Sequence, residues 1–511
     1  MPVLHSRLEG KEFTFADVII NEGFSTSSAD EVDITSQFTK NIKGSIPLIS
    51  APMDTVTECE MAIAVANQGG LPIIHSNFPS DKDSTGIEKQ TDEIRRTKRW
   101  RSGFIEKPIT LSPDAPIEEA DAMMKKYKIG SIIVTDDGKP HGELKGFITK
   151  YDYSLEPFFG TGSGMHAGLC VSDRMRPFER VYYITTDDIK GEDKLQVAYR
   201  KLLESHRGMI PILDKDKKVV YIVSRKDVEK SVQFPNSLKD KKGRLVVFAS
   251  IGTRAEDKKR IESLVDADAD GVCIETSHAY KQYVFDMLKF VKNTYPQLDV
   301  IIGNTTNPEA VKRFIELGAD AVKIGIGPGS TCVTRSDFGI GRPQLSAIYY
   351  ARLAAEKMKD KYGKVPIIGD GGFTSPGSIL KGLALGADSI MSGNMFAGTE
   401  EAPGDYLYTS TGVRVKQYRG MGSRESMNVT QGEARGDRSL VVPEGVSGYV
   451  EDRGPVSKWI PYMMEGLRKA MEKAGASNIQ ELYQKAEVLP HSMGAQQEGV
   501  PHNLVSYTKS K

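Results

Sequence analysis

The C-terminal half of the chain repeats one pattern. Short apolar runs end in glycine or polar residues, and each is followed by an amphipathic stretch. The runs are Leu245–Ile251, Gly271–Ile274, Val300–Asn304, Ala321–Gly327, Val365–Gly372 and Ser389–Gly393. Stretches such as Asn307–Leu317 and Ser378–Leu385 carry the helical period between them. Strand runs alternating with helical patterns predict a parallel sheet. So many units, with chemistry-bearing residues at strand ends, favour a closed (β/α)8 TIM-type barrel over an open doubly wound sheet. No Gly-x-Gly-x-x-Gly follows a first strand with an acid about 20 residues on, so the usual dinucleotide fingerprint is missing. Two further runs, Ile46–Asp54 and Leu71–His75, complete the barrel from the N-terminal side. The expected organisation is therefore a barrel in two pieces, residues 1–102 and 232–511, interrupted by residues 103–231.

The interrupting segment repeats internally. Gly130-Ser-Ile-Ile-Val-Thr-Asp-Asp-Gly-Lys leads to Gly146-Phe-Ile-Thr-Lys-Tyr-Asp, and Gly208-Met-Ile-Pro-Ile-Leu-Asp-Lys-Asp-Lys leads to Tyr221-Ile-Val-Ser-Arg-Lys-Asp. Each copy predicts a helix, a strand, an acidic turn, a second strand and a Thr/Ser-x-x-Asp. This resembles a tandem CBS (Bateman) module. The resemblance implies that Thr149 with Asp152, and Ser224 with Asp227, hold the ribose of regulatory adenine or guanine nucleotides. Read from local chemistry alone, the same spacing is a helix N-cap.

Composition narrows the class. Over 511 residues, Lys+Arg and Asp+Glu both number 68, so no global charge argues for nucleic acid or an anionic membrane. No apolar run approaches the ~20 residues of a membrane span. The cysteines, Cys59, Cys170, Cys273 and Cys332, are dispersed and show no CxxC spacing, which points to a reducing, cytoplasmic compartment. The terminal Ser-Lys would need one more leucine to read as a Ser-Lys-Leu peroxisomal signal.

Cys332 carries the candidate chemistry. It lies in Gly325-Ile-Gly-Pro-Gly-Ser-Thr-Cys-Val-Thr-Arg, directly after an apolar run. Gly325, Gly327 and Gly329 let the backbone turn tightly and approach a ligand. Ser330 adds a hydroxyl. A lone cysteine is ordinarily an inert buried residue; one delivered into such a loop is suited to attack a carbon of the ligand held there. The later strand ends read Gly369-Asp-Gly-Gly-Phe and Met391-Ser-Gly-Asn-Met. Gly371, Gly372, Gly393 and Asn394 can offer backbone N–H groups to a phosphate, and Asp370 can accept both hydrogens of a ribose diol.

These segments, with Ser50-Ala-Pro-Met-Asp-Thr-Val-Thr-Glu, Gly341-Arg-Pro-Gln and Tyr418-Arg-Gly-Met-Gly-Ser, are similar to the IMP dehydrogenase/GMP reductase family over nearly the whole chain. The resemblance implies a purine nucleotide substrate, GMP or IMP, a tetramer, and octamers through the CBS modules. It makes Cys332 the nucleophile at purine C2. Ser330, Gly371, Gly372 and Gly393 would hold the 5′-phosphate with Tyr418, and Asp370 the ribose. Met53 and Asn304 would pack or bond near the nucleotide, and Met421 and Gly422 would read the base through their backbone. Glu275 and Ser277 would grip the nicotinamide ribose. K+ would sit among the carbonyls of Gly327, Gly329 and Cys332, helped by a neighbour's C-terminal Glu-Gly-Gly. That tail here reads Glu498-Gly-Val500, a departure from the pattern.

Within the family the two reactions diverge after a shared thioimidate. The resemblance implies that a dehydrogenase, with NAD, hydrolyses it by means of an Arg-Tyr pair in the flap. A reductase, with NADPH, releases ammonia from GMP using a Thr and a Glu. Between Ser423 and Glu444 no Arg-Tyr pair occurs: Arg435 precedes Gly and Arg438 precedes Ser. Thr334 and Glu444 match the reductase positions. Glu275 and Asn394 stand where dehydrogenases usually have Asp and often have Ser. Loss of the water-activating base costs about 10²–10⁴ in rate. The expectation is therefore GMP reductase with NADPH and a Cys332–Thr334–Glu444 relay. The alternative is IMP dehydrogenase with NAD and Arg435 or Arg438 as an unconventional base. A nucleotide-sensing scaffold without catalysis is the third reading.

Overall fold

The structure is a computed structural model of the chain. It describes all residues except 1, 5, 9, 83, 101–103, 106–107, 128, 154–167, 191–193, 432–441 and 502–511. Arg435 and Arg438 lie outside the described residues. The chain divides into two compact units: residues 1–100, 236–240 and 245–511 form the first, and residues 101–235 and 241–244 the second.

The first unit is built on a closed eight-stranded parallel barrel. Its strands are β1 Leu48–Ser50, β2 Leu71–Ile74, β3 Phe248–Ile251, β4 Gly271–Glu275, β5 Asp299–Thr305, β6 Ala321–Ile324, β7 Ile367–Asp370 and β8 Ser389–Ser392. The ring closes where Ile390, Met391 and Ser392 pair with Leu48, Ile49 and Ser50.

Strands buried on both faces need apolar residues at nearly every position, which is why they read as unbroken runs. Alternate residues divide between two cores. Ile49, Leu71, Ile73, Phe248, Cys273, Ile301, Ala321, Ile368 and Met391, from all eight strands, form one cluster that fills the barrel. Their neighbours Ala249, Val272, Val300, Val322, Ile367 and Ile390 face outward to the surrounding helices. By this alternation Lys323 on β6 points inward.

The strands are shorter than some of the runs that announce them. Leu245–Val247 and Val365–Pro366 are buried but precede β3 and β7. The helix expected from Ser378 begins at Pro376, because Ser375 accepts the Ser378 N–H as its N-cap and a proline suits the first turn. Pro308–Glu316 starts likewise behind Asn307.

In the second unit two strand pairs share one register. Ser131–Thr135 pairs antiparallel with Leu144–Thr149, starting Ser131 to Thr149, with an irregularity at Val134/Thr135. Met209–Leu213 pairs with Val219–Ser224, starting Met209 to Ser224, with the same irregularity at Ile212/Leu213. The helices Ile117–Tyr127 and Lys194–Glu204 precede them. No helix among the described residues is long and apolar enough to cross a membrane.

Candidate active site

The C-terminal ends of the strands gather the residues that the sequence singles out. β6 runs into the loop Gly325–Val333 and then a short helix, Thr334–Phe338. Gln344 ties β6 to β7, donating to the Ile324 carbonyl at 2.9 Å and the Asp370 carbonyl at 3.0 Å. Arg335 donates to the Ile326 carbonyl at 2.7 Å and to the Arg342 carbonyl, fastening the loop from its far side.

The Cys332 thiol lies 3.2 Å from the Thr334 hydroxyl, which in turn donates to the Glu444 carboxylate at 3.5 Å. Backbone pairing holds this row together. Cys332 forms an antiparallel bridge with Gly445. The Val333 N–H donates to the Glu444 carbonyl at 3.2 Å, and the Val446 N–H to the Thr331 carbonyl at 2.9 Å. Glu444, 112 positions from Cys332 in sequence, is thus placed by main-chain geometry rather than by its own side chain. Thr334 is buried, while Cys332 and Glu444 at the two ends of the row are partly exposed.

Beside the thiol, Gly371 and Gly372 both have positive φ, 88° and 83°. A Cβ on Gly371 would lie 3.1 Å from the Gly329 nitrogen, so the two glycine loops are nearly in contact. A Cβ on Gly393 would meet the Met53 sulfur at 2.6 Å and the Tyr418 hydroxyl at 2.7 Å. The Asn394 amide donates to the Ser330 hydroxyl at 3.4 Å. Ser330, Gly371, Gly372, Gly393, Asn394, Met53 and Tyr418 therefore converge from four strand ends and the flap. Burial pushes the Tyr418 phenol up to about 12, so it remains a neutral O–H at physiological pH.

A charged group lies deeper. Lys323, with no exposed side-chain surface, contacts Asp370 and Glu275, each at 2.7 Å, and also the Asn304 amide oxygen. Asn304 donates to Asp370 at 2.9 Å and to the Gly325 carbonyl at 2.7 Å. Burial opposes the charge on Lys323, but Asp370 and Glu275 outweigh it and hold its pKa above the ordinary lysine value. For Glu275, burial wins over the pull of Lys323, with Asp370 adding to the rise, and its carboxyl is raised. Ser277 lies two residues beyond Glu275, exposed in the loop after β4 and outside this group.

The flap is anchored to the barrel. Its strands β9 Arg414–Arg419 and β10 Ser447–Glu451 pair antiparallel, with Tyr418 opposite Gly448. Arg419 grips Asp54 through two nitrogens, Nη2 at 2.8 Å and Nε at 3.1 Å. Ser426 and Asn77 donate to the same carboxylate. The Met421 sulfur faces the Asp54 N–H at 3.4 Å, and the Gly422 carbonyl accepts the Glu444 N–H at 3.0 Å. Lys323, Asp54 and Arg419 are the site residues that sequence reading passes over. A lone lysine inside the apolar run Ala321–Gly327 was the available signal for the first.

In the second unit, Thr149 donates to Asp152 through its N–H and its hydroxyl, both at 2.7 Å. Arg176 donates to the other Asp152 oxygen at 3.3 Å. The pair caps a 3-10 turn, Lys150–Asp152. Ser224 ends its strand at the corresponding place, and the side chain of Asp227 lies outside the described residues. A cleft between the repeats is lined by Phe147, Arg180, Tyr182, Arg207 and Met209.

A thiol loop, two glycine turns and a partly buried carboxylate pair gather at the strand ends of a (β/α)8-barrel protein. A family profile described as "IMP dehydrogenase / GMP reductase domain" matches residues 12–502. The chain is 36% identical over 501 residues to inosine-5′-monophosphate dehydrogenase of Chlorobaculum parvum, covering 96% of each chain. It is 36% identical over 511 residues to the enzyme of that name from Trypanosoma brucei brucei, covering 97% of this chain and 94% of the other. Among solved structures, a cysteine-to-alanine variant of Trypanosoma brucei GMP reductase in complex with guanosine 5′-monophosphate superposes with a TM-score of 0.82. It is 31% identical, with 98% of this chain and 99% of the other covered. The chain belongs to the IMP dehydrogenase/GMP reductase family, oxidoreductases that act on purine nucleotides with NAD(P).

Removing the buried cation is expected to be costly. Lys323→Met leaves Asp370 and Glu275 facing each other in the barrel, a loss of about 3–5 kcal/mol. Without the lysine the Glu275 carboxyl stays raised above its unfolded value, so the deficit shrinks as pH falls through it. Urea unfolding at pH 7.5 and 5.0 checks both the size and the sign; an equal midpoint for variant and wild type at pH 7.5 removes the ion group as a stabilising element.

Proposed function

We propose that the protein is a GMP reductase, converting GMP to IMP and ammonia with NADPH. The observation that carries this reading is the Cys332–Thr334–Glu444 row, at 3.2 and 3.5 Å, in a flap without an Arg-Tyr pair. The 5′-phosphate sits among Ser330, Gly371, Gly372, Gly393, Asn394 and Tyr418, and the ribose on Asp370. Met53 and Asn304 flank the nucleotide, and the main chain of Met421 and Gly422 meets the base. Glu275 and Ser277 hold the dinucleotide's ribose. The solved GMP complex of the similar reductase supports a nucleotide seat of this kind.

The Cys332 thiolate attacks C2 of GMP. A proton passed from Glu444 through Thr334 lets the 2-amino group leave as ammonia, and a thioimidate on Cys332 remains. NADPH, when bound, supplies a hydride to C2. The C–S bond then breaks, its electrons return to Cys332, and IMP is released; two protons are consumed overall and ammonium and NADP+ are formed. The carbonyls of Gly327, Gly329 and Cys332 are a neutral oxygen set suited to K+, although Gly329 already accepts the Cys332 N–H at 3.1 Å and Val500 breaks the expected Glu-Gly-Gly.

We propose further that the second unit is a tandem CBS module. Its shared register and the basic, aromatic cleft with Arg180, Arg207, Tyr182 and Phe147 suit adenine or guanine nucleotides. Thr149 with Asp152, once released from capping, and Ser224 with Asp227 would grip ribose. Assembly would be tetrameric or octameric.

The curated relatives favour a second reading, IMP dehydrogenase forming XMP with NAD. Absorbance at the nicotinamide band, with K+ present, separates the two. GMP with NADPH is expected to lose signal and yield IMP and ammonia. Signal gained from IMP with NAD, with XMP formed and no reaction of GMP, would overturn the reductase reading.

A further inference from the structure

The phosphate seat described above offers only uncharged donors: backbone N–H groups, the Ser330 and Tyr418 hydroxyls and the Asn394 amide. A phosphate monoester is close to a dianion at neutral pH. Burying such a charge without a compensating cation is costly. Lys323 is committed to Asp370 and Glu275. The available cation is Arg453, which follows β10. Its guanidinium contacts the Asn394 carbonyl and, at 2.9 Å, the Asn394 side-chain oxygen. It lies over the Trp459 ring, 5.3 Å from the centroid, and the indole N–H is anchored on the Met395 carbonyl at 2.9 Å. Among the described residues no carboxylate lies within ion-pair distance of it, an unusual state for a partly buried arginine.

We infer that Arg453 is the counter-charge and positioning residue of the phosphate seat, acting through Asn394. This rests on the nucleotide seat of the proposed function, but not on the direction of the reaction, since IMP binds in either reading. The geometry is a relay. Arg453 takes both oxygens of Asn394, which forces the amide NH₂ to face Ser330, and Asn394 Nδ2 donates there at 3.4 Å. Without Arg453 the amide is free to flip and present an oxygen to the phosphate, which repels. The guanidinium also adds one positive charge behind a four-residue helix, Asn394–Ala397, too short to supply much dipole of its own. A guanidinium, unlike an ammonium, can hold both oxygens in one plane.

The test is the affinity of IMP by calorimetry between pH 5.5 and 7.5, for wild type, Arg453→Gln and Arg453→Lys. Over this range the phosphate loses its second proton. Wild-type affinity is expected to rise as the dianion forms. Arg453→Gln is expected to bind IMP roughly ten- to a hundredfold more weakly at pH 7.5. It should also lose most of the rise between pH 5.5 and 7.5. Arg453→Lys should keep the rise, because the charge remains, but bind several-fold more weakly because the two-point grip is gone.

Tyr418 and Glu451 are the other titratable groups that reach Arg453. Tyr418 stays neutral throughout, and Glu451 and the exposed His278 are common to all three proteins, so the differences isolate the arginine. NADPH affinity should not move. If wild type fails to bind IMP, the nucleotide reading itself is wrong. If wild type binds and Arg453→Gln keeps both affinity and pH rise, the inference is wrong. A uniform loss of IMP and NADPH affinity, with an unchanged pH rise, would make Arg453 merely structural and also overturn it. Should Arg453→Gln not fold, Arg453→Lys alone decides: affinity equal to wild type removes the positioning role.

Discussion

Cys332→Ala is expected to lower turnover of GMP by roughly 10⁵-fold or more while leaving nucleotide affinity within about tenfold. The first figure follows from removing a nucleophile whose covalent step splits the reaction, where the residual rate owes only to binding and polar contacts. The second follows from the geometry. The thiol's side-chain contact is with Thr334, whereas the proposed phosphate and ribose ligands, Ser330 apart, lie at the ends of β7 and β8 and on the flap. Stability should change little, because Cys332 is partly exposed and its loop is held by backbone pairing to Glu444–Val446. Steady-state assay with NADPH, together with calorimetry for GMP and IMP, measures both quantities. Mass spectrometry of wild type quenched during turnover should find the purine on the peptide containing Cys332. Turnover within tenfold of wild type would remove Cys332 from the chemistry.

Much of this site could be read before the fold was seen, and the reason is local. A strand buried on both faces is an apolar run, and the loop that leaves it carries its glycines and its thiol or carboxylate within a dozen residues. Ala321–Arg335 is such a stretch, and so is Val365–Phe373. What escaped reading was assembled across the barrel. Lys323 meets Glu275 on β4 and Asp370 on β7, and nothing in the local pattern of β6 names either partner. Inward-facing positions of the barrel also admit a charge at their upper end, where periodicity alone expects a hydrophobe. Asp54 and Arg419 are 365 positions apart, and their two-point contact fixes the flap base. The Thr149–Asp152 pair shows the opposite difficulty. Its spacing announces either a ribose grip or a cap, and the described geometry is a cap. In sequence, a ribose grip of that spacing cannot be told from ordinary turn chemistry.

Glu444→Gln should separate proton delivery from hydride transfer. Glutamine keeps the size of the side chain and an oxygen that can accept the Thr334 hydroxyl, but has no proton to give. The main chain of residue 444 is fixed by the Gly422 carbonyl and the Val333 N–H, so the segment stays in place. Release of ammonia from GMP is expected to fall by about 10²–10⁴. The reverse half-reaction is different. IMP, Cys332 and NADP+ give the thioimidate and NADPH by attack and hydride loss alone, with no amine to protonate. A burst of NADPH from IMP and NADP+, close to one per site, is therefore expected to survive in the variant. Rapid-quench and stopped-flow measurements on the same preparation compare the two. If both steps fall equally, Glu444 only holds the loop, and its backbone contacts explain its presence. If GMP deamination is unchanged, the relay through Thr334 is not the proton source, and the reductase reading loses the observation that carries it. If deamination alone falls, the 3.2 and 3.5 Å contacts in the row become a path for the proton. The flap then needs no arginine, because ammonia leaves without water having to be activated.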